Sequence, residues 1–384
     1  MLDRRSVLIR AVAVAVAVLI VVLLLMTPFV QSALSDLLSF GKERYPEYAE
    51  FSVERTLSVS ANGGVVTNFT LDVPVPVDIS DGGSELQQVL GTHPTPAPLY
   101  DADRYAVPWL VWSDGPLEGE EVYQAKITYH MRVTTHIWNY DEDDVLLVSE
   151  IPSHLTDRYL DDEWKIVVSA PSIENRAEAI VGEETNVYAI LRSIYDWIVE
   201  NIDYPLTSQR SDPQSSVETL RLGTGDCDEQ AILFAALSRA VGVPAWVQVG
   251  ALYDKTNDAW GGHGWVQTYL PLAGGGGANV TIDTVNRDFM VWKPNRFADF
   301  TDDGNGEHLR DYYYTYNCWY VPESYPPGQG PIYGEQFDAV SYEESSEKVD
   351  SSDFSIQSAM FGADSSFLIA TLRPSCTCPA SART

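Results

Sequence analysis

Cys227 follows a glycine turn (Gly223, Gly225) and opens an apolar segment that stops at Gly242 and Pro244. Glycine and proline just past an apolar run mark a helix C-terminus. Ile232, Leu233, Phe234, Ala235, Ala236, Leu237, Ala240 and Val241 cover most of the circumference, which predicts a helix buried on nearly all sides. Ala245–Ala251 has a β-rich composition and reads as a strand returning along that helix. A thiol at a helix N-terminus meets unpaired N–H donors and the positive end of the macrodipole. Both favour thiolate, the nucleophilic form. Taken by itself, a lone cysteine such as Cys227 is more commonly a structural buried residue. His263, just before a strand at Trp265–Leu270, and Asp283, at the end of Val280–Asp283, change the balance. One strand could set the imidazole against the sulfur and the next could set the carboxylate behind it. That is the nucleophile, base and orienting acid of covalent acyl chemistry.

The residues Gly225-Asp226-Cys227, Glu229, Ala231, Leu233, Ala236-Leu237, Arg239, Gly242 and Pro244-Ala245 form one motif with His263-Gly264-Trp265-Val266 and Asp283. It resembles the transglutaminase-like superfamily, over roughly residues 185–300. The resemblance implies a papain-like α+β domain whose cysteine helix packs on an antiparallel sheet. It makes Cys227 the nucleophile, His263 the base and Asp283 the orienting carboxylate. One departure stands out: the family often reads D-P-T or D-x-T around the aspartate, and this chain reads Asp283-Thr284-Val285.

The elements that must position these residues fill the rest of 384 positions, enough for two soluble domains and extras. A hydrophobic content of 45% with 10 Trp and 21 Tyr supports real cores. The 55 acidic against 24 basic residues give a net charge of −31, which argues against nucleic acid and against anionic lipid beyond the extreme N-terminus.

Arg4, Arg5 and Arg10 precede an uncharged, almost wholly apolar Ala11–Val30, one bilayer core in length as a helix. An uncleaved anchor over 1–31 is expected, with a cleaved signal peptide as the alternative. The arginines should stay cytoplasmic and the bulk of the chain extracytoplasmic. A connector over 32–50 leads to alternating runs at Phe51–Val59, Phe69–Val77, Ala125–Val133 and Val145–Val148. These read as an antiparallel β-sandwich over 51–171. Its His130 and His136 could share a strand face but show no third metal ligand.

The catalytic domain is placed at 172–322, beginning with helical Ser172–Ile202 and a polar loop at Thr207–Ser216. Tyr253–Gly262 reads as a loop able to cover His263, Gly274–Gly277 as a hairpin loop, and Tyr312–Tyr320 as a closing strand or lid. Asp303, Asn305 and Glu307 alternate but lack the EF-hand glycine and terminal glutamate, so a solvated turn is the reading. Cys376 and Cys378 lack a matching second pair, and no metal or cofactor is assigned. Residues 323–384, Pro/Gly-rich and then acidic and Ser-rich, read as a mostly disordered tail. Asn68 and Asn279 head glycosylation sequons, usable outside the cytoplasm.

With the expected anchor, the resemblance implies a membrane-anchored thiol enzyme acting on peptide or carboxamide bonds of a protein or peptide substrate through a thioester. Hydrolysis is preferred to cross-linking because nothing in the sequence marks an amine-binding site. A non-catalytic cell-surface binding module that keeps the fold is the alternative. Removal of glycans from asparagine, known for relatives of the fold, is a third, by fold analogy alone.

Overall fold

The structure is a computed structural model that describes residues 44–205 and 212–350. The expected membrane helix at 11–30, Cys376, Cys378 and residues 351–384 lie outside the described residues. No helix among the described residues is long and apolar enough to cross a membrane.

The site is built on a five-stranded antiparallel sheet. Its strands run, in spatial order, Asp288–Phe289, Gly277–Asp283, Ala259–Pro271, Ala245–Asp254 and Arg296–Thr301. The helix Cys227–Ala240 lies on the two strands Ala245–Asp254 and Ala259–Pro271, and the helices Pro171–Val181, Val187–Asn201 and Ser216–Leu222 cover its other side. Every residue of that helix from Cys227 to Arg239 is buried, as its all-round apolar pattern requires. Arg239, one of several polar side chains buried with the helix, has its guanidinium held by the Ala245 carbonyl at 2.7 Å, by Glu163 and by Asp302. The expected single helical stretch over 172–202 is two helices, broken at Gly182, whose φ of 63° only glycine adopts readily.

The strands predicted from residue 51 onward form two sheets. One runs Ile332–Glu344, Tyr48–Ser60, Val122–Thr134, Ser84–Thr95 and Ile79–Asp81. The other runs Tyr316–Tyr320, Val65–Pro74, Val107–Asp114 and Tyr100–Arg104, with Leu117–Glu118 beside Val65–Pro74. Tyr48–Ser60 alternates buried and half-buried side chains along its length, the period-two signature of a strand with one face in the core. Phe51 carries this core into the catalytic layer through Trp260 at 4.6 Å and Phe297 at 6.1 Å between ring centroids. Buried Arg55 crosses the same boundary, with Asp299 at 2.9 Å and Glu335 at 2.7 Å.

Several expectations are corrected here. Tyr316–Tyr320 pairs with Val65–Pro74 and is a strand of the sandwich, not a lid. The tail expected from residue 323 begins with structure: Ile332–Glu344 pairs along nearly the whole of Tyr48–Ser60. Only Tyr333 and Phe337 of that strand are buried, and its polar outer edge gave it the texture of a tail. The sandwich is thus completed from both sides of the catalytic sequence. Val145–Val148 supplies two isolated bridges, Val145 to Leu272 and Leu147 to Asn186, then a 3₁₀ turn over Val148–Glu150.

Candidate functional site

The start of the Cys227 helix is held by several contacts. Asp203 donates its N–H to Gly223 O at 2.9 Å and accepts from Gly225 N–H at 3.0 Å, which locks the glycine turn. Asp226 caps the helix, and Glu229 closes a capping box by accepting the Asp226 N–H at 2.9 Å. The same carboxylate takes the Gln214 N–H at 2.9 Å and the Gln214 amide at 2.8 Å. Cys227 therefore starts the helix with little freedom.

His263 is the fifth residue of Ala259–Pro271, inside the strand rather than just before it. The strand begins earlier than its sequence pattern suggested because Trp260 and Gly261 pair with Tyr253 and Leu252. Opposite His263 stands Gly250, where a Cβ would lie 1.9 Å from Phe297 O, so the two neighbouring strands close up only around glycine. Val266 pairs with Ile282, and both point away from the site. By the period of two, His263 and Asp283 share the other face, one diagonal step apart.

That diagonal is closed by a hydrogen bond of 2.7 Å from His263 Nε2 to Asp283 Oδ2. Burial alone would raise the Asp283 carboxyl. His263, Arg296 and Asn286 outweigh it and hold the group far below the usual carboxylate range. An ionised carboxylate only accepts, so the shared proton belongs to Nε2 and the lone pair to Nδ1. Nδ1 is buried and makes no hydrogen bond.

The sulfur is adjacent. The Gly264 backbone N–H hydrogen-bonds Cys227 Sγ, which sets the thiol beside the residue that follows His263. Asp228 Oδ1 lies 3.5 Å from the same sulfur. Thr284, directly after Asp283, bonds Gln230 at 3.0 Å, and Gln230 bonds Gly225 O at 2.9 Å. The aspartate strand is thereby tied to the cysteine turn. That tie is what the Asp283-Thr284-Val285 departure provides.

One expectation fails. Cys227 is not held as an easy thiolate: burial first, then Asp228 and Asp226, push the thiol well above its usual value, and the Gly264 N–H only partly opposes them. The macrodipole argument overlooked three acidic side chains on one desolvated helix start. Cys227 is also only 2% exposed and His263 1%, so the site is closed. Tyr204 and Tyr313 stand close enough to the sulfur for its charge to raise their hydroxyls.

Behind the Asp283 carboxylate lies a network the sequence did not reveal. Asn286 donates to Oδ2 at 2.8 Å, and Arg296 reaches it at 2.9 Å while gripping Asp288 at 2.9 Å. Lys293 completes the set on the other oxygen of Asp288 at 2.5 Å. Only the pairing of distant strands brings Arg296 there, and no local pattern marks it.

The remaining expected residues lie elsewhere. His130 meets Ser52 at 2.7 Å and the His93 ring at 5.3 Å, while His136 sits on a separate short strand opposite Trp292. Asn305 caps the helix Gly306–Tyr313, and Asp303 holds His308 at 3.1 Å. Cys318 stands opposite Phe69 on the neighbouring strand of one sandwich sheet. Among the described residues, no group of three or more His, Cys, Asp or Glu side chains is placed to hold a metal.

Residues 174–277 match the sequence model of the transglutaminase-like superfamily. No curated protein matches the sequence. Among solved structures, the chain is similar to a candidate cysteine protease of Cytophaga hutchinsonii at 14% identity and a TM-score of 0.53, covering 82% of this chain and 94% of that one. That likeness is one of fold. A candidate protease of Parabacteroides distasonis aligns at 12% identity and a TM-score of 0.26, over 65% of this chain and 47% of that one. The periplasmic domain of TgpA from Pseudomonas aeruginosa bound to ethylmercury aligns at 13% identity and a TM-score of 0.31, over 66% of this chain and 94% of that one.

Proposed function

We infer that this chain, which carries a transglutaminase-like domain, is a thiol enzyme that cleaves peptide or carboxamide bonds through a thioester on Cys227. The observation that carries the reading is the buried, unpartnered Nδ1 of His263, on a ring whose other nitrogen is held by ionised Asp283. In this tautomer the ring is a base ready for the thiol proton.

The steps follow from that assignment. Nδ1 takes the proton from Sγ, and the thiolate attacks the substrate carbonyl. The Cys227 backbone N–H, at the helix start, contributes to holding the oxyanion. The imidazolium returns its proton to the departing amine, leaving a thioester. Water, deprotonated by the same Nδ1, releases the acid. An amine in place of that water would make the enzyme a cross-linking transferase. Asp283 remains ionised throughout and fixes the ring.

The basic N-terminus before Ala11–Val30 supports an anchored chain with its bulk outside the cytoplasm. Protease accessibility of an epitope after residue 44 in intact and permeabilised cells tests that topology.

One observation favours a second reading. The 2% exposure of Cys227 suits a binding module that keeps the geometry without admitting a substrate. Incubating the full chain with a peptide library and a labelled amine, read by mass spectrometry, separates the cases. Cleavage or deamidation that disappears in Cys227→Ala supports hydrolysis, and amine-linked products support transfer. Identical traces for wild type and Cys227→Ala leave only the binding module.

A further inference from the structure

Asp228 is the second residue of the cysteine helix, and its carboxylate is turned inward, 3.5 Å from Sγ. It is 9% exposed, unusual for an acid with no cation on it. Gly264 makes room for it: a Cβ there would stand 2.4 Å from Oδ1. The strand that carries the base thus gives up a side chain so that a carboxylate can reach the nucleophile. The thiol's side-chain hydrogen-bond partner is Asp228, while the nitrogen that should receive its proton has none.

We propose that Asp228 gates the nucleophile: ionised, it holds the Cys227 S–H and keeps the sulfur protonated, and neutralised, it surrenders the sulfur to His263. The proposal rests on the reading of Cys227 and His263 as nucleophile and base. Proton bookkeeping closes. One proton from solvent binds Asp228, the thiol proton moves from Sγ to His263 Nδ1, and the new Asp228 O–H donates to the thiolate. The product is a thiolate–imidazolium pair beside a neutral acid.

The groups around Asp228 agree on the direction. Its own helix presents Asp226 and Glu229, the strand presents His263, and the helix Gly306–Tyr313 presents the Tyr313 hydroxyl. Tyr204 comes from the segment that follows the helix Val187–Asn201. Burial outweighs the favourable contacts and raises the Asp228 carboxyl above the ordinary aspartate value. The gate would open on mild acidification, at a pH where an ordinary thiol loses reactivity.

The test is alkylation of Cys227 by iodoacetamide in the full chain from about pH 8 to about pH 5.5, followed on the Cys227 peptide by mass spectrometry. Wild type should react faster as the pH falls. Asp228→Asn, a permanent mimic of the neutral acid, should react about tenfold faster than wild type near pH 8 and lose the acid-side rise. Superimposable profiles for the two overturn the gate. A wild-type rate that climbs only with rising pH overturns it too, and needs no variant to fold. His263→Ala separates the proposal from its premise: if that variant matches wild type at every pH, the pairing of Cys227 with His263 fails, whatever Asp228→Asn does.

Discussion

Arg296 reaches Asp283 Oδ2 at 2.9 Å, on the same oxygen that His263 Nε2 approaches at 2.7 Å. One carboxylate oxygen therefore faces a fixed cation and a titratable ring. The guanidinium keeps the acid ionised, and the imidazole takes its orientation from it. Asp288 and Lys293 hold the guanidinium in turn.

Arg296→Met should cost about 3–5 kcal/mol, the usual penalty for stranding a buried charge, and should be read as a fall in melting temperature. Arg296→Lys keeps the charge but not the two-carboxylate grip. In wild type the Asp283 carboxyl is held below its unfolded value, so its stabilisation is complete above about pH 4 and is lost only in strong acid. Removing half of the grip raises the carboxyl, so the acid limb of both stability and kcat/KM should move to higher pH in Arg296→Lys. An unmoved acid limb would assign Arg296 to packing alone.

Asp283→Asn preserves shape and removes the charge that fixes the tautomer. For the proposed hydrolysis kcat should drop by about 10³–10⁴, with KM little changed. Circular dichroism should stay native. A variant within tenfold of wild type would remove Asp283 from the mechanism.

Two glycines should respond differently to alanine. At Gly250 the new Cβ meets backbone, 1.9 Å from Phe297 O and 2.8 Å from Ala298 Cα, and neither can step aside. Gly250→Ala should lose about 3 kcal/mol or more, or fail to accumulate as soluble protein. At Gly264 the Cβ meets the movable Asp228 carboxylate first. Gly264→Ala should fold and change the alkylation rate of Cys227 instead.

Far from the sulfur, Asp299 is pushed up to about 7 by burial and by Glu335, against the pull of Arg55. The sign is opposite to that of Asp283. A carboxyl whose folded value lies above its unfolded value near 4 binds an extra proton in the folded state between the two, so its contribution falls as pH rises from about 4 to about 7. Asp299→Asn should flatten that part of the melting-temperature profile. Equal slopes in wild type and variant would contradict it.

The residues nearest the chemistry were the most legible. The glycine turn, the all-round apolar helix and the strand ending in Asp283 each follow a local period that a sequence displays directly. Arg296, Asn286 and Asp228 were not legible, because their partners are set by strand pairing and by the direction of a side chain. The length of the strand around His263 was underestimated for a related reason. Its first residues, Ala259-Trp260-Gly261-Gly262, read as a loop until Ala245–Asp254 pairs with them. Ile332–Glu344 was hidden by its own polar edge, and its place became visible only opposite Tyr48–Ser60.

The origin of that last strand has a consequence for biosynthesis. Tyr48–Ser60 is made early, yet one of its two neighbours arrives only once translation has passed residue 344. Until then the ribosome displays a long unpaired edge. Assembly must wait for the C-terminal end and then proceed in concert, which favours slow folding and a need for chaperones. A stop codon shortly after residue 322 would spare all three proposed catalytic side chains and still yield an aggregating product.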